Sequence, residues 1–358
     1  MKSVCLSTLK PIKETGYSSA ARKNLWGGAR VAWRLPFDRA AFQSFRGENS
    51  GRMSISGIQE KISLRLMANT LEPTTQDGTH LLKPIPIAMA AALELPEDVP
   101  ANEHLTMQLA AQVFRLSTAP CGLVFFPDGA PALVVRRFDR AVDSGGKLRQ
   151  EDFCQLSGRS AQTAGRNFKY EGSYEECGRL VHTFCPAWRI AIERLFRQVI
   201  FNYLVGNGDA HLKNFSLLET PSGDHALSPA YDLLSTTLHL PNESRLALDL
   251  FHGDFATPFF EANGFHGYDD FLELSRRWSI ATEVATAFLL SLPEKQSAVH
   301  ELIDRSFLSE AAKARYRQIF DDRLLALRPY GARVVEIFLA GRGKPTSSAC
   351  LDVQARKI

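Results

Sequence analysis

Residues 201–218 read FNYLVGNGDAHLKNFSLL, and this stretch sets the architecture around it. Ile192, Leu195, Phe196, Val199 and Tyr203 recur at i, i+3, i+4, i+7 and i+11, the spacing of an amphipathic helix. Gly206 and Gly208 end that helix. A short polar loop follows, and Phe215 to Leu218 reads as a strand. Asn207, Asp209, His211, Lys213 and Asn214 therefore leave the apolar core at one place, on a loop pinned between two rigid elements, where chemistry usually sits.

Asp209 precedes Asn214 with four residues between them, the Asp-x-x-x-x-Asn spacing of a protein-kinase catalytic loop. In that loop the Asp accepts the proton of the substrate hydroxyl and the Asn holds magnesium. Downstream, in Ser228-Pro229-Ala230-Tyr231-Asp232-Leu233-Leu234, Asp232 supplies a carboxylate that can join the Asn214 amide oxygen on a hard cation bridging ATP phosphates. The plainer alternative is that Asp209 and Asn214 cap a turn and Asp232 caps a helix starting at Leu233.

A chain of 358 residues, 45% hydrophobic and 23% charged, has the composition of a soluble globular protein. Its formal charge of +3 gives no bulk attraction for nucleic acid, so no direct nucleic-acid binding is expected. The N-terminal stretch MKSVCLSTLKPIKETG lacks a signal-peptide core, and no run approaches a membrane span, so the expected location is cytoplasmic, with no membrane partner. The six cysteines show no Cys-x-x-Cys spacing and read as reduced thiols, mostly core filler.

The first fifty residues read as an irregular lead-in without assignable chemistry. Met53 to Lys61 is a small-residue turn that feeds a strand in which Ile62, Leu64 and Leu66 alternate. Such a turn exposes backbone N–H groups to phosphate, or is simply a hairpin turn. Lys83 ends the short strand from His80 to Pro84, either reaching solvent or contacting ATP phosphates and pairing with a helix Glu. In the following helix, expected to be capped by Asn102, Glu103 is either a first-turn acid facing the helix dipole or the partner of Lys83. Leu123 to Phe126 and Ala132 to Phe138 form a hairpin around Pro127-Asp128-Gly129. Ser160 to Gly172 reads as a mobile loop near the substrate, and the stretches 268–293 and 308–327 are helical in period. Residues from Ser347 onward are expected to be disordered.

Eight segments in order resemble motifs of the HipA family. They are Ser-x-Ser-Gly-x-Gln-x-Lys at 54–61, Leu-Lys-Pro at 82–84, Asn-Glu at 102–103, Arg-Phe-Asp-Arg at 137–140, Gln-Glu-Asp-Phe-Cys-Gln at 150–155, Lys-Tyr-Glu at 169–171, Asn-Gly-Asp-Ala-His-Leu-Lys-Asn at 207–214 and Ala-Tyr-Asp-Leu at 230–233. The resemblance implies an α+β, two-lobed protein-kinase-like fold, with residues 1–138 as a β-rich N-terminal lobe and 139–358 as a mainly helical C-terminal lobe. It implies a serine/threonine kinase toxin that uses ATP and Mg²⁺. By that resemblance Ser56, Gly57, Ile58, Gln59 and Lys61 belong to the phosphate loop and Lys83 contacts the phosphates. Arg136, Arg137 and Phe138 meet adenine through backbone groups. Asp209 is the catalytic base, and His211, Lys213, Asn214, Tyr231 and Asp232 complete the nucleotide site, with Asn214 and Asp232 on the metal. Ser54 and Ser56 resemble autophosphorylation sites.

The phosphate-loop motif begins far earlier here than in full-length HipA, and with the Ser-Ile-Ser pair this looks like HipT, the short kinase of three-gene HipBST systems. The implied partners are a protein substrate, with aminoacyl-tRNA synthetases as the family's targets, a HipB-like DNA-binding antitoxin and a HipS-like small protein. Arg136 departs from the family, which has an acidic residue there. Two other readings stand beside this one: a catalytically silent kinase-like module that holds an antitoxin on DNA, and a small-molecule phosphotransferase.

Overall fold

The structure is a computed structural model and describes residues 3–49, 60–88, 90–140 and 146–329. Two helices open it, α1 (Ser19–Trp26) and α2 (Arg39–Glu48), whose N-termini are capped by the side chains of Ser18 and Asp38. The lead-in is thus more regular than its composition suggests. Strands β1 (Ile62–Met67), β2 (Thr70–Pro73) and β3 (His80–Pro84) follow, then helix α3 (Val99–Gln112) and strands β4 (Cys121–Phe125) and β5 (Pro131–Arg136). These strands form one antiparallel sheet in the order β2-β1-β3-β5-β4.

Side-chain alternation gives this sheet two different faces. Ile62, Leu64, Leu82, Val124, Ala132 and Val134 pack with Leu25, Trp26, Leu35 and Phe42 of the N-terminal segment in a small core. Leu123, Leu133 and Val135 point the other way, into the large core that runs on through α3 to the helical part of the chain. Lys83 pairs in register with Leu133, and Leu81 with Val135, so Lys83 is on this second face. Val99 through Ala110 are all buried, because α3 is wedged between the sheet and the helices beyond it.

Helix α3 starts three residues before the expected cap, at Val99, with a proline in its first turn. Asn102 is therefore not a cap, and Glu103 is beyond the first turn, where the dipole explanation no longer holds. Asp98 instead accepts from Ser309, at 2.7 Å from the backbone N–H and 2.6 Å from the hydroxyl, tying the start of α3 to a helix at the far end of the chain.

A second sheet, β6 (Gln150–Asp152), β7 (Ser216–Glu219) and β8 (His225–Leu227), is set among helices α4 (Phe153–Leu156), α5 (Ala161–Ala164), α6 (Tyr174–Phe184), α7 (Trp188–Leu204), α8 (Pro258–Asn263), α9 (Tyr268–Arg277), α10 (Thr282–Leu290), α11 (Gln296–Arg305) and α12 (Glu310–Ala326). The central helix α7 ends where Gly206 takes φ +69°, and a Cβ there would lie 2.7 Å from Ile319. Phe114, just past α3, meets Phe201 of α7 and Phe320 of α12 edge-on, at 4.9 and 6.4 Å between ring centroids. One continuous apolar core therefore braces both sides of the cleft described next. Among the described residues, no helix is long and apolar enough to cross a membrane. Among the described residues all five cysteines are buried and unpaired.

Candidate active site

A cleft of about 680 Å³ opens between the five-stranded sheet and the helical region. That volume is within the usual range for a small-molecule site. Lys61, Lys83, Arg136, Arg137, Phe138, Asp209, His211, Lys213, Asn214, Tyr231 and Asp232 all line it. The expected phosphate-loop and autophosphorylation residues Ser54, Ser56, Gly57, Ile58 and Gln59 lie outside the described residues.

The loop bearing Asp209 is built on the end of α7. Asn207 donates through its backbone N–H to Asn202 O and through its side chain to Asn202 Oδ1, at 2.9 and 3.0 Å. Its own Oδ1 accepts the Asp209 N–H at 3.2 Å. Gly208 N–H donates to Thr236 Oγ1 at 2.7 Å, and a Cβ at 208 would lie 2.4 Å from the backbone oxygen of Ser244, so the position admits only glycine without displacement. Tyr174 donates to Ala210 O from within the core. One turn later, Asn214 Oδ1 accepts the His211 N–H at 3.1 Å.

Lys83 is the electrostatic centre. Its Nζ lies 2.5 Å from Oε1 of Glu103 on α3 and 2.5 Å from Oδ1 of Asp232. Burial alone would push the ammonium pKa down, but the two carboxylates outweigh it and the net shift is upward. The Asp232 carboxyl is pushed up by burial and pulled down further by Lys83 and Lys61, ending at about 2. Asp232 is on a left-handed backbone, φ +53°, and no helix begins at Leu233, so the expected capping role falls away. A non-glycine residue held at positive φ costs energy that the surroundings must offset, and such positions gather at functional sites.

On the other wall, Lys213 pairs with Asp152 at 2.7 Å and Tyr231 donates to Lys213 O at 2.8 Å. Phe138 faces Tyr231 at 5.5 Å between ring centroids. Arg137 grips Asp139 with two donors, and the Arg136 guanidinium turns to Asn24 O at 2.8 Å. The backbone N–H groups of Arg136 and Arg137 are already committed, to Pro120 O and Thr79 O. Among the described residues the Phe138 N–H has no backbone partner.

Burial drives His211 down to about 4, against the pull of Asp209, so the imidazole is neutral at pH 7. Its Nδ1 is buried without a hydrogen-bond partner among the described residues. Asp232, whose side chain is 36% exposed, and the Asn214 amide present hard oxygen donors of the kind Mg²⁺ takes. Among the described residues no cluster of three or more His, Cys, Asp or Glu could hold a metal by itself. A cation here would take most of its ligands from phosphate and water, as Mg²⁺ at nucleotides does.

Three contributors escaped sequence reasoning. Asp152 was visible only as part of a motif without a role, although its position beside Lys213 follows from β6 pairing with β7. Asn102 looked like a cap, yet it is wholly buried and holds Ser235 from both sides. Tyr170 donates to Asp209 Oδ1 at 2.5 Å from 39 residues upstream, and no periodicity announces that contact.

The family model described as the HipA-like C-terminal domain matches residues 53–307. A Haemophilus influenzae protein named "Putative kinase" is 27% identical over 325 residues, covering 86% of this chain and 92% of that protein. "Putative kinase Y4dM" of Sinorhizobium fredii is 39% identical over 230 residues, 60% of this chain and 52% of that one. The "Serine/threonine-protein kinase toxin HipA" of Shewanella oneidensis is 31% identical over 212 residues, 55% of this chain and 46% of that one. The chain thus spans about half the length of the latter two relatives. Among solved structures, HipA in the Shewanella oneidensis complex of HipA, HipB and operator DNA superposes with a TM-score of 0.58 at 25% identity, over 80% of this chain and 67% of that one. The two chains share a two-lobed, kinase-like fold.

Proposed function

This chain belongs to the HipA-like C-terminal domain family, and we propose that it is an ATP-dependent serine/threonine protein kinase of a toxin-antitoxin system. The observation that carries the reading is the meeting, in one cleft, of Lys83 from the sheet, Glu103 from α3, and Asp209, Asn214 and Asp232 from the loops after α7. A kinase needs this set of charges and almost nothing else, because phosphoryl transfer is positioning plus electrostatic stabilisation.

In this reading ATP occupies the cleft, with residue 138 as the hinge between the lobes. Phe138 offers its N–H to the base, while Lys83, held in place by Glu103, meets the phosphates. Lys61 and the Ser56–Gln59 segment complete the phosphate loop, with His211, Lys213 and Tyr231 on the opposite wall. Asn214 and Asp232 hold Mg²⁺, which neutralises phosphate charge when bound. Asp209 orients the acceptor hydroxyl and takes its proton.

The Ser-Ile-Ser pair supports a HipT-like kinase that phosphorylates itself on Ser54 or Ser56. A phosphate there adds about two negative charges near the triphosphate and lowers ATP affinity. The HipB of the solved complex supports a HipB-like antitoxin as partner. A HipS-like small protein, an aminoacyl-tRNA synthetase as substrate and a cytoplasmic location complete the proposal.

Calorimetric titration with Mg·ATP, wild type beside Lys83→Met, tests it. The expected result is binding by the wild type and a loss of about tenfold or more in the variant, the weight of one charge-assisted contact. Equal affinity in both would overturn the assignment.

A further inference from the structure

Resting on that reading, we propose that the acceptor-hydroxyl subsite of the kinase is the position now filled by the phenol of Tyr170, which holds the place of a serine or threonine side chain on Asp209. Tyr170 OH donates to Asp209 Oδ1 at 2.5 Å, the bond an acceptor hydroxyl must make before its proton can be taken. The Tyr170 ring stands edge-on to His211, with centroids 5.2 Å apart, and beneath it the Asp209 side chain is only 18% exposed. An acceptor reaches this carboxylate by displacing the phenol.

The segment carrying Tyr170 is built to move aside. None of residues 158–172 is buried, and Gly158, Gly165 and Gly172 all take positive φ. A Cβ at 158 or 165 would meet nothing within 4 Å. Besides the Tyr170 bond, the segment is held by the Arg159–Glu176 ion pair at 3.1 Å, by Phe168 against the core edge with Lys213 Nζ 6.0 Å from its ring centroid, and at its start by the Gly158 and Arg159 N–H groups, which donate to Gln155 O and Cys154 O. Few buried apolar contacts and exposed backbone place it at the low-stability end of the fold.

Once the phenol has lifted, the acceptor hydroxyl takes its place on Asp209. Its oxygen forms the new bond to the γ-phosphorus as the bond to the β–γ bridging oxygen breaks, ADP leaves with that electron pair, and the proton passes to the Asp209 carboxylate. The phenol therefore competes with the acceptor for one carboxylate, and removing it favours acceptor binding without touching the nucleotide.

The test is steady-state phosphorylation of a degenerate peptide library with one central serine, using wild type, Tyr170→Phe and Tyr170→Ala. The expected result is a peptide KM about tenfold lower in both variants, the weight of one hydrogen bond to a charged group, with kcat and the KM for ATP little changed. A peptide KM unchanged or raised, with a lower kcat, would overturn the proposal and make Tyr170 a positioning residue for Asp209. Amide hydrogen exchange gives a readout without turnover: residues 165–172 should exchange faster in both Tyr170→Phe and Asp209→Ala, and no change in either also overturns the proposal. If all three proteins bind ATP yet none makes phosphopeptide, while exchange in Asp209→Ala still rises, the kinase reading fails and the Tyr170 contact stands.

Discussion

Asn102 and Ser235 exchange two hydrogen bonds across 133 residues of chain: Ser235 N–H donates to Asn102 Oδ1 at 3.1 Å, and Asn102 Nδ2 donates to Ser235 O at 2.9 Å. The same Nδ2 lies 2.9 Å from His239 Nε2. One residue along α3, Glu103 holds Lys83, and three residues before Ser235 is Asp232, so this amide fixes the distance between the two carboxylates that Lys83 bridges.

Asn102→Ala leaves the Ser235 N–H and C=O buried without their partner, which costs about 1–3 kcal/mol for each group. Chemical denaturation should show that loss, and ATP affinity should fall with it, because Asp232 is no longer held against Lys83. An unchanged ATP affinity in a protein of reduced stability would separate the clamp from the site.

Glu103→Gln removes one of two counter-charges from a buried ammonium, while Asp232 remains. Breaking a buried ion pair from one side costs up to about 3–5 kcal/mol, and the remaining carboxylate limits the loss to the lower end. ATP turnover should drop more than stability does, since Lys83 is then drawn wholly to Asp232. Turnover assays beside melting curves check this, and equal turnover would count against Glu103 as an organiser of the site.

Gly208→Ala puts a methyl group 2.4 Å from a backbone oxygen and 2.6 Å from Glu243 Oε2, so the loop carrying Asp209 must shift. A misplacement of about 1 Å at a reacting group can cost about a hundredfold in rate. The expected outcome is a folded protein that binds ATP but turns it over about a hundredfold more slowly. Full activity would mean that the loop gives way elsewhere.

Stability should fall on acidification between pH 6.5 and 4. Burial lowers His80 and His104 from 6.5 to about 4 in the fold. Between those values the unfolded chain takes up protons that the folded chain refuses, so their contribution is fully present above pH 6.5 and is lost as pH falls through 4. Each histidine can account for at most about 3 kcal/mol. His104→Gln, whose amide can still reach Ser7 O, should flatten the curve of melting temperature against pH over this window. A parallel curve would show that His104 titrates normally.

The loop at 207–214 and its flanking helix and strand were legible because apolar periodicity surrounds a cluster of polar residues too dense for a core. The alternation of β1 and the hairpin around residues 127–129 were legible for the same local reasons. Helices α1 and α2 carried signals in the caps Ser18 and Asp38, but their exposed faces hid the period. Pro100 moved the start of α3 ahead of Asn102, so a residue with the chemistry of a cap became a buried tertiary clamp. Tyr170 was legible only as part of the Lys-Tyr-Glu segment in a loop expected near the substrate; its bond to Asp209 was not, because a contact made by an exposed, aperiodic segment depends on where the whole fold carries it.

The most direct measurement is the intact mass of purified, phosphate-free protein after incubation with Mg²⁺ and ATP, wild type beside Asp209→Asn. The account predicts a phosphate gain on the wild type, mapping to Ser54 or Ser56, and none on the variant. No gain on the wild type, or the same gain on both, would contradict Asp209 as the base of a self-phosphorylating kinase.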